Sequence, residues 1–146
     1  MKTKFIKVLI LSLVYGASFS QNNISIQKSD LDKILVEFSI HYKDDFITFK
    51  KLKTADEYFY SANTRTKRLK SELDSTTIYI AIKEYQSSIK LNQKHWASYR
   101  NLSRLFVLIN RKDLALISLE KALEYCGKED RYSLFKMKNE ILNSMN

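Results

Sequence analysis

His95 to Gly127 reads HWASYRNLSRLFVLINRKDLALISLEKALEYCG and decides the fold of this chain. Its apolar residues recur at steps of three and four, the periodicity of a helix with one buried face. Two such runs are present: Tyr99, Leu102, Phe106 and Ile109, then Ala115, Leu119, Ala122 and Leu123. The polar residues Asn110 to Asp113 separate them. The stretch therefore predicts two amphipathic helices joined by a tight turn, a helical hairpin.

The composition favours an all-α domain. The chain has 146 residues, of which 45% are hydrophobic and 12% aromatic, enough for a sizeable core. It has no proline, and its only glycines are Gly16 and Gly127. Turn-rich β folds therefore lack their usual turn residues, and long helices lack their usual breakers. We expect one all-α domain.

The first twenty residues have the form of a secretory signal peptide. Lysines precede a short apolar run at 8–15, and small residues follow up to Ser20. The run is well below the ~20 residues needed to cross a bilayer. We expect cleavage after Ser20 and export to the periplasm or beyond, with an uncleaved membrane anchor as the alternative. Cleavage removes three lysines and no acid, which lowers the formal charge from +9 to +6.

Residues 21–28 are polar and predict a mobile mature N-terminus, so the helical domain is expected at 29–146. A first helix is predicted from Ser29 to about Lys51. Its apolar face comprises Leu31, Leu35, Phe38, Tyr42, Phe46 and Phe49.

Thr54 and Glu57 have capping-box spacing and predict the start of a second helix. Its basic second half, Asn63 to Glu72, is either a continuation of the helix or a loop insertion. Because no glycine or proline interrupts this part, the helix is favoured.

Three more helix boundaries are predicted. Asp74 or Ser75 caps a third helix, 76–91, whose apolar stripe comprises Ile78, Ala81, Ile82, Tyr85 and Ile89. Gly127 ends the fifth helix, and a sixth spans 130–143 with Leu134, Met137 and Ile141 inward. Linkers of a few residues make consecutive helices antiparallel neighbours.

An internal repeat relates the third helix to the fifth. A shift of 34 residues places Ala81 on Ala115, Ile82 on Leu116, Tyr85 on Leu119, Ser88 on Ala122 and Ile89 on Leu123. Small residues thus meet small residues, and large ones meet large ones. Small residues let neighbouring helices approach while large ones fill the space between hairpins, so the alternation recurs in each stacked unit.

This period and pattern resemble the tetratricopeptide repeat, a helix-turn-helix unit of about 34 residues. The resemblance covers one unit, 95–127, and the second helix of a preceding unit, 76–94. Asn110 stands where the family often has glycine, and asparagine tolerates a left-handed backbone. The residues that carry the resemblance are Tyr99, Leu102, Ser103, Phe106, Ala115, Leu119 and Ala122. The resemblance implies a short array of stacked antiparallel hairpins, with 130–143 as a terminal cap; a plain six-helix bundle is the alternative.

The sequence shows no catalytic or metal-binding constellation. His41 and His95 have no acid at ligand spacing, and no HExxH, paired-cysteine or glycine-rich phosphate motif is present. Cys126 is the only cysteine, so an intrachain disulfide is impossible, and we expect a partly buried hydrophobe at a helix end. We therefore expect neither enzymatic activity nor a cofactor or metal.

A binding surface remains. In the family that the chain resembles, the first helix of each unit builds a concave wall along which peptides lie. Carried onto this chain, that wall presents Ala97, Arg100, Asn101, Arg104, Leu108, Phe135, Lys136 and Asn139. By spacing alone, Arg100 and Arg104 lie one helical turn apart with Asn101 beside them, a set that can hold a carboxylate. We expect a protein or acidic peptide as partner.

The basic run Arg65, Lys67, Arg68 and Lys70 predicts a second surface. Export and the lack of interleaved aromatics argue against nucleic acid. An anionic lipid or polysaccharide of the bacterial envelope fits better, and a solvated helix face is the simplest interpretation. A structural role in a homo-oligomer is a third possibility, since short repeat arrays need covered ends.

Overall fold

The computed structural model describes residues 28–36, 51–69 and 74–145. Within these ranges the regular secondary structure is entirely α-helical, which confirms the all-α prediction. The helices are α1 (Lys28–Ile34), α2 (Ala55–Arg68), α3 (Ser75–Leu91), α4 (Trp96–Leu108), α5 (Lys112–Tyr125) and α6 (Lys128–Asn143). The predicted signal peptide and residues 21–27 lie outside the described part of the chain. None of the described helices is long and apolar enough to cross a membrane.

The helices pack in chain order as hairpins. α2 lies along α3, and α4 lies along α5. Because only residues 109–111 separate α4 from α5, these two helices run antiparallel. α3 also contacts α4, α5 contacts α6, and α1 packs against α5.

The core follows the predicted apolar stripes. Tyr85, Tyr99 and Phe106 are its largest fully buried side chains. Each buried side chain of this size contributes about 1.5–3 kcal/mol through removal of apolar surface from water. The predicted inward residues that are buried are Ile78, Ala81, Ile82, Tyr85, Ile89, Tyr99, Leu102, Phe106, Ala115, Leu119, Ala122, Leu123, Leu134 and Ile141, whereas Ile109 and Met137 are half-buried.

The predicted N-terminal caps of α2 and α3 are both present. Thr54 and Glu57 form a complete capping box, in which each side chain accepts from the other residue's backbone N–H. The carboxylate of Asp74 accepts from the backbone N–H groups of Thr76 and Thr77 at 3.1 and 2.9 Å. The basic half of α2 is helical as far as Arg68, and 70–73 lie outside the described residues.

Asn110 turns the chain between α4 and α5 with a left-handed backbone, φ 57°. The N–H of Arg111 donates to the carbonyl oxygen of Phe106 at 2.8 Å, and that of Asn110 donates to Val107 at 3.0 Å. These two bonds make a Schellman motif, which satisfies carbonyl groups at the end of α4. The left-handed backbone expected at Asn110 is confirmed.

The first helix is shorter than predicted. It ends at Ile34 rather than near Lys51, and neither Val36 nor Lys51 is helical. The side-chain amide of Gln86, itself 5% exposed, donates to the carbonyl oxygens of Ile34 and Val36. A residue of α3 thus binds the described end of α1, and periodicity within the first segment could not reveal this contact. The predicted continuation over 37–50 lies outside the described residues.

Gly127 has a different role from the predicted one. α5 ends at Tyr125, Cys126 is extended, and Gly127 is the N-cap of α6 with φ −67°. Its backbone conformation is open to any residue. α6 consequently starts at Lys128, two residues before the predicted start at Asp130.

Candidate functional site

Two grooves flank α4, and both are lined by Arg100 and Arg104. The first, here called the α4/α6 groove, lies between those helices and has a volume of about 550 Å³. The second, the α2/α4 groove, lies on the other side of α4 and has a volume of about 510 Å³. The two arginines therefore form a ridge between two concave surfaces.

The α4/α6 groove combines an apolar floor with mixed charge. Val107 contributes from α4, and Leu134, Met137 and Ile141 contribute from α6. Two charged residues of α6, Lys136 and Glu140, complete its wall.

The α2/α4 groove has polar and apolar parts. Leu69, Leu105 and Leu108 form the apolar part. Asn63, Thr66 and Lys67 line it from α2, and Tyr85 contributes from α3. Among the described residues that line it there is no carboxylate.

Arg100 is held in place by its neighbours on α4. Its Nε donates to Oδ1 of Asn101 at 3.1 Å, and its guanidinium lies 5.1 Å from the ring centroid of Trp96, a cation–π contact. Partial burial lowers the pKa of Arg100, and the nearby charge of Arg104 lowers it further. No described residue accepts a hydrogen bond from its two terminal nitrogens. The guanidinium is thus oriented before any ligand arrives.

The side-chain amide of Asn101, which the sequence predicts as a ligand donor, is hydrogen-bonded within the fold. Its Nδ2 donates to Oδ1 of Asn63 at 2.8 Å and to the hydroxyl of Tyr85 at 3.2 Å, while Tyr85 donates to the same Asn63 oxygen at 2.7 Å. Its own Oδ1 is occupied by Arg100. This network joins α2, α3 and α4 beneath the arginine ridge.

Phe135, which the sequence predicts beside Lys136 on the binding wall, lines neither of the two grooves. Successive residues of a helix are rotated by about 100°, so the rotation of α6 about its axis decides which of them border the groove. Lys136, Met137 and Glu140 line the α4/α6 groove. Phe135 is 45% exposed and projects from another side of α6.

The predicted basic patch on α2 is not one continuous basic surface. Nε of Arg65 lies 3.0 Å from both carboxylate oxygens of Glu84, which is 5% exposed and also accepts from Ser61 at 2.7 Å. The charge of Arg65 is therefore compensated between α2 and α3. Lys67 lines the α2/α4 groove, Arg68 is exposed, and Lys70 lies outside the described residues.

His95 has an acidic neighbour, contrary to the expectation from the sequence. Its Nε2 lies 3.1 Å from Oδ1 of Asp56, and its Nδ1 accepts from the backbone N–H of Ser98, capping α4. The order Asp56, His95, Ser98 is that of a hydrolase triad, but Ser98 is fully buried and donates to Ser88 at 2.8 Å. Because no substrate reaches this hydroxyl, the contact serves to join α2 to the start of α4.

No metal site is present in the described part of the chain, where no three histidine, cysteine or acidic side chains come together. Cys126 is half-buried, with its Sγ 3.6 Å from the carbonyl oxygen of Leu123. It packs against the core as a small hydrophobe, as the sequence predicted.

No family model, curated protein or solved structure matches this chain significantly.

Proposed function

We propose that this chain is a non-enzymatic protein-interaction module, built like a short tetratricopeptide-repeat array, that binds an acidic peptide segment across α4. The observation that carries the proposal is the ridge of Arg100 and Arg104 between two concave grooves. Guanidinium groups bind carboxylates through paired, charge-assisted hydrogen bonds.

Preorganisation supports this use of the ridge. Asn101 and Trp96 already hold Arg100, so less side-chain entropy is lost when a ligand binds. The formal charge, +9 for the whole chain and +6 once the first twenty residues are removed, also favours encounter with an acidic partner. Anionic lipid or polysaccharide is a weaker candidate, because Arg65 is paired with Glu84 and does not face a ligand freely.

Selection from a displayed library of random 12-residue peptides tests the proposal. We expect the selected peptides to be enriched in Asp and Glu. The double substitution Arg100→Glu and Arg104→Glu should weaken binding of the selected peptides at least tenfold, as measured by fluorescence anisotropy.

A matched control is the pair Lys90→Glu and Lys94→Glu, which makes the same charge change at exposed positions outside both grooves. It should leave binding within about twofold. Equal losses in the two double variants would mean that net charge, and not the ridge, captures the peptide. Selected peptides without acid enrichment would contradict the proposal.

We propose further that the protein acts outside the cytoplasm. The support is the sequence pattern of the first twenty residues. N-terminal sequencing of the protein purified from the envelope or medium of a bacterial host should start at Gln21. A start at Met1 in a membrane fraction would favour the uncleaved anchor instead.

A further inference from the structure

We infer that the ligand is bipartite, with one apolar side chain in each groove and an acidic residue between them over the arginine ridge. This inference rests on the proposed function and specifies the pattern of its ligand. It follows from the two apolar floors, their separation and the position of the two charges.

Each groove offers apolar surface that the described part of the chain leaves exposed. On α4, Val107 is 36% exposed and lines the α4/α6 groove, while Leu108 is 51% exposed and lines the α2/α4 groove. These adjacent residues thus point to opposite sides of the ridge. Covering one such side chain with an apolar ligand group contributes about 25 cal/mol per Å² of surface removed from water.

The width of one helix sets the ligand spacing. Both grooves adjoin α4, and packed helices lie about 8–10 Å apart. An extended chain advances about 3.3 Å per residue, so about three residues carry it from one groove to the other. An apolar residue at one position and another three positions later fit this distance, with the residues between them over Arg100 and Arg104.

Charge complementarity decides which residues lie between the apolar anchors. Arg104 is exposed, and the terminal nitrogens of Arg100 have no described acceptor. A carboxylate placed there accepts hydrogen bonds from these guanidinium groups, whereas a basic residue would be repelled by their charge. The fitting pattern is therefore apolar, acidic, acidic, apolar.

The experiment uses the full mature chain and four labelled peptides in a serine and glycine frame. Their central sequences are Leu-Asp-Asp-Leu, Ser-Asp-Asp-Ser, Leu-Ser-Ser-Leu and Leu-Asp-Asp-Asp-Asp-Asp-Leu. We expect the first to bind at least tenfold more tightly than each of the other three. Val107→Ser and Leu108→Ser should each weaken the first peptide about threefold to tenfold, without affecting the acid-only peptide.

These outcomes separate the inference from the proposed function. Equal binding of all the acidic peptides, lost with Arg100→Glu and Arg104→Glu, would overturn the bipartite pattern and leave acidic-peptide binding intact. Equal binding of the Leu-Asp-Asp-Leu and Leu-Ser-Ser-Leu peptides, insensitive to the arginine changes, would overturn both. Absence of binding by all four peptides, at concentrations where library-selected peptides bind, would overturn the bipartite pattern alone. Circular dichroism of each variant establishes that the helices are retained.

Discussion

Gln86 donates its side-chain amide to the backbone carbonyl oxygen of Ile34 at 2.8 Å, although 52 residues separate them in the chain. The same nitrogen donates to the carbonyl oxygen of Val36 at 2.9 Å. A buried side chain of α3 thus satisfies two carbonyl groups at the described end of α1. The bond fixes α1 against the hairpins.

The substitution Gln86→Leu should remove the hydrogen bonds that tie α1 to α3. The two carbonyl groups lose their donor, and an unmet hydrogen bond of this kind costs about 1–3 kcal/mol when the group stays buried. Hydrogen exchange over 28–36 should become much faster, and the free energy of unfolding in urea should fall. Gln93→Leu, at an exposed position, is the control and should change neither quantity. Unchanged exchange over 28–36 in the Gln86 variant would show that α1 is held by apolar packing alone.

Asp74 should stabilise α3 in a pH-dependent manner. Hydrogen bonds from Thr77, and more weakly from Thr76, hold the pKa of the Asp74 carboxyl below its ordinary value of 3.8. A lowered pKa in the folded state means that the stabilisation is present above pH 3.8 and is lost as the pH falls through the folded value. Asp74→Ala should cost about 1 kcal/mol at neutral pH.

Asp74→Asn is the matched control, because asparagine also caps helices but does not titrate. Urea unfolding at pH 7 and pH 3 gives the free energy of unfolding of both proteins. At pH 7 that of Asp74→Asn should be close to the wild-type value, and it should fall less than the wild-type value between pH 7 and pH 3. A wild-type acid loss equal to that of Asp74→Asn would rule out Asp74 as a contributor to the pH dependence.

Substitutions of Asn110 should follow the cost of its left-handed backbone. Glycine adopts φ near 57° without penalty, so Asn110→Gly should keep or slightly raise stability. Asn110→Val should lose about 1–2 kcal/mol, because a β-branched side chain crowds the backbone in this conformation. Thermal unfolding of both variants measures the difference, and equal midpoints would contradict it.

Arg65 and Glu84 should be coupled more strongly than an exposed ion pair. The side chain of Glu84 is 7% exposed and that of Arg65 is 40% exposed, so solvent screens the contact only in part. A double-mutant cycle with Arg65→Met and Glu84→Gln should give a coupling of about 1 kcal/mol. Arg111 and Asp113, whose side chains are 44% and 57% exposed, provide the comparison and should give less than about 0.5 kcal/mol. Equal coupling in the two pairs would mean that burial of Glu84 adds nothing.

The parts of the fold that the sequence predicts are those encoded within one helix or one turn. The stripe Tyr99, Leu102, Phe106 follows from helical periodicity, and the turn at Asn110 follows from local backbone preference. The caps at Thr54 and Asp74 are likewise settled within a few residues. Such features depend only on residues that are close to one another along the chain.

Contacts between helices escaped prediction because they depend on how helices face one another. His95 and Asp56 are 39 residues apart, and Asn101 and Asn63 are 38 apart, yet each pair is in contact. The spacing of Arg100 and Arg104 by one helical turn could be predicted because both lie within a single helix. Phe135 lines neither groove, because the residues of α6 that border a groove depend on how this helix is rotated against α4.

The two grooves owe their differences to side chains that take no part in the core. Lys67, Lys136 and Glu140 line the groove walls, while Tyr99, Leu102 and Phe106 hold α4 from its opposite side. Surface substitutions of this kind usually change stability by no more than about 0.5 kcal/mol. The recognition proposed for these grooves could therefore diversify at the wall positions while the folding stability stays nearly constant, without passage through unfolded intermediates.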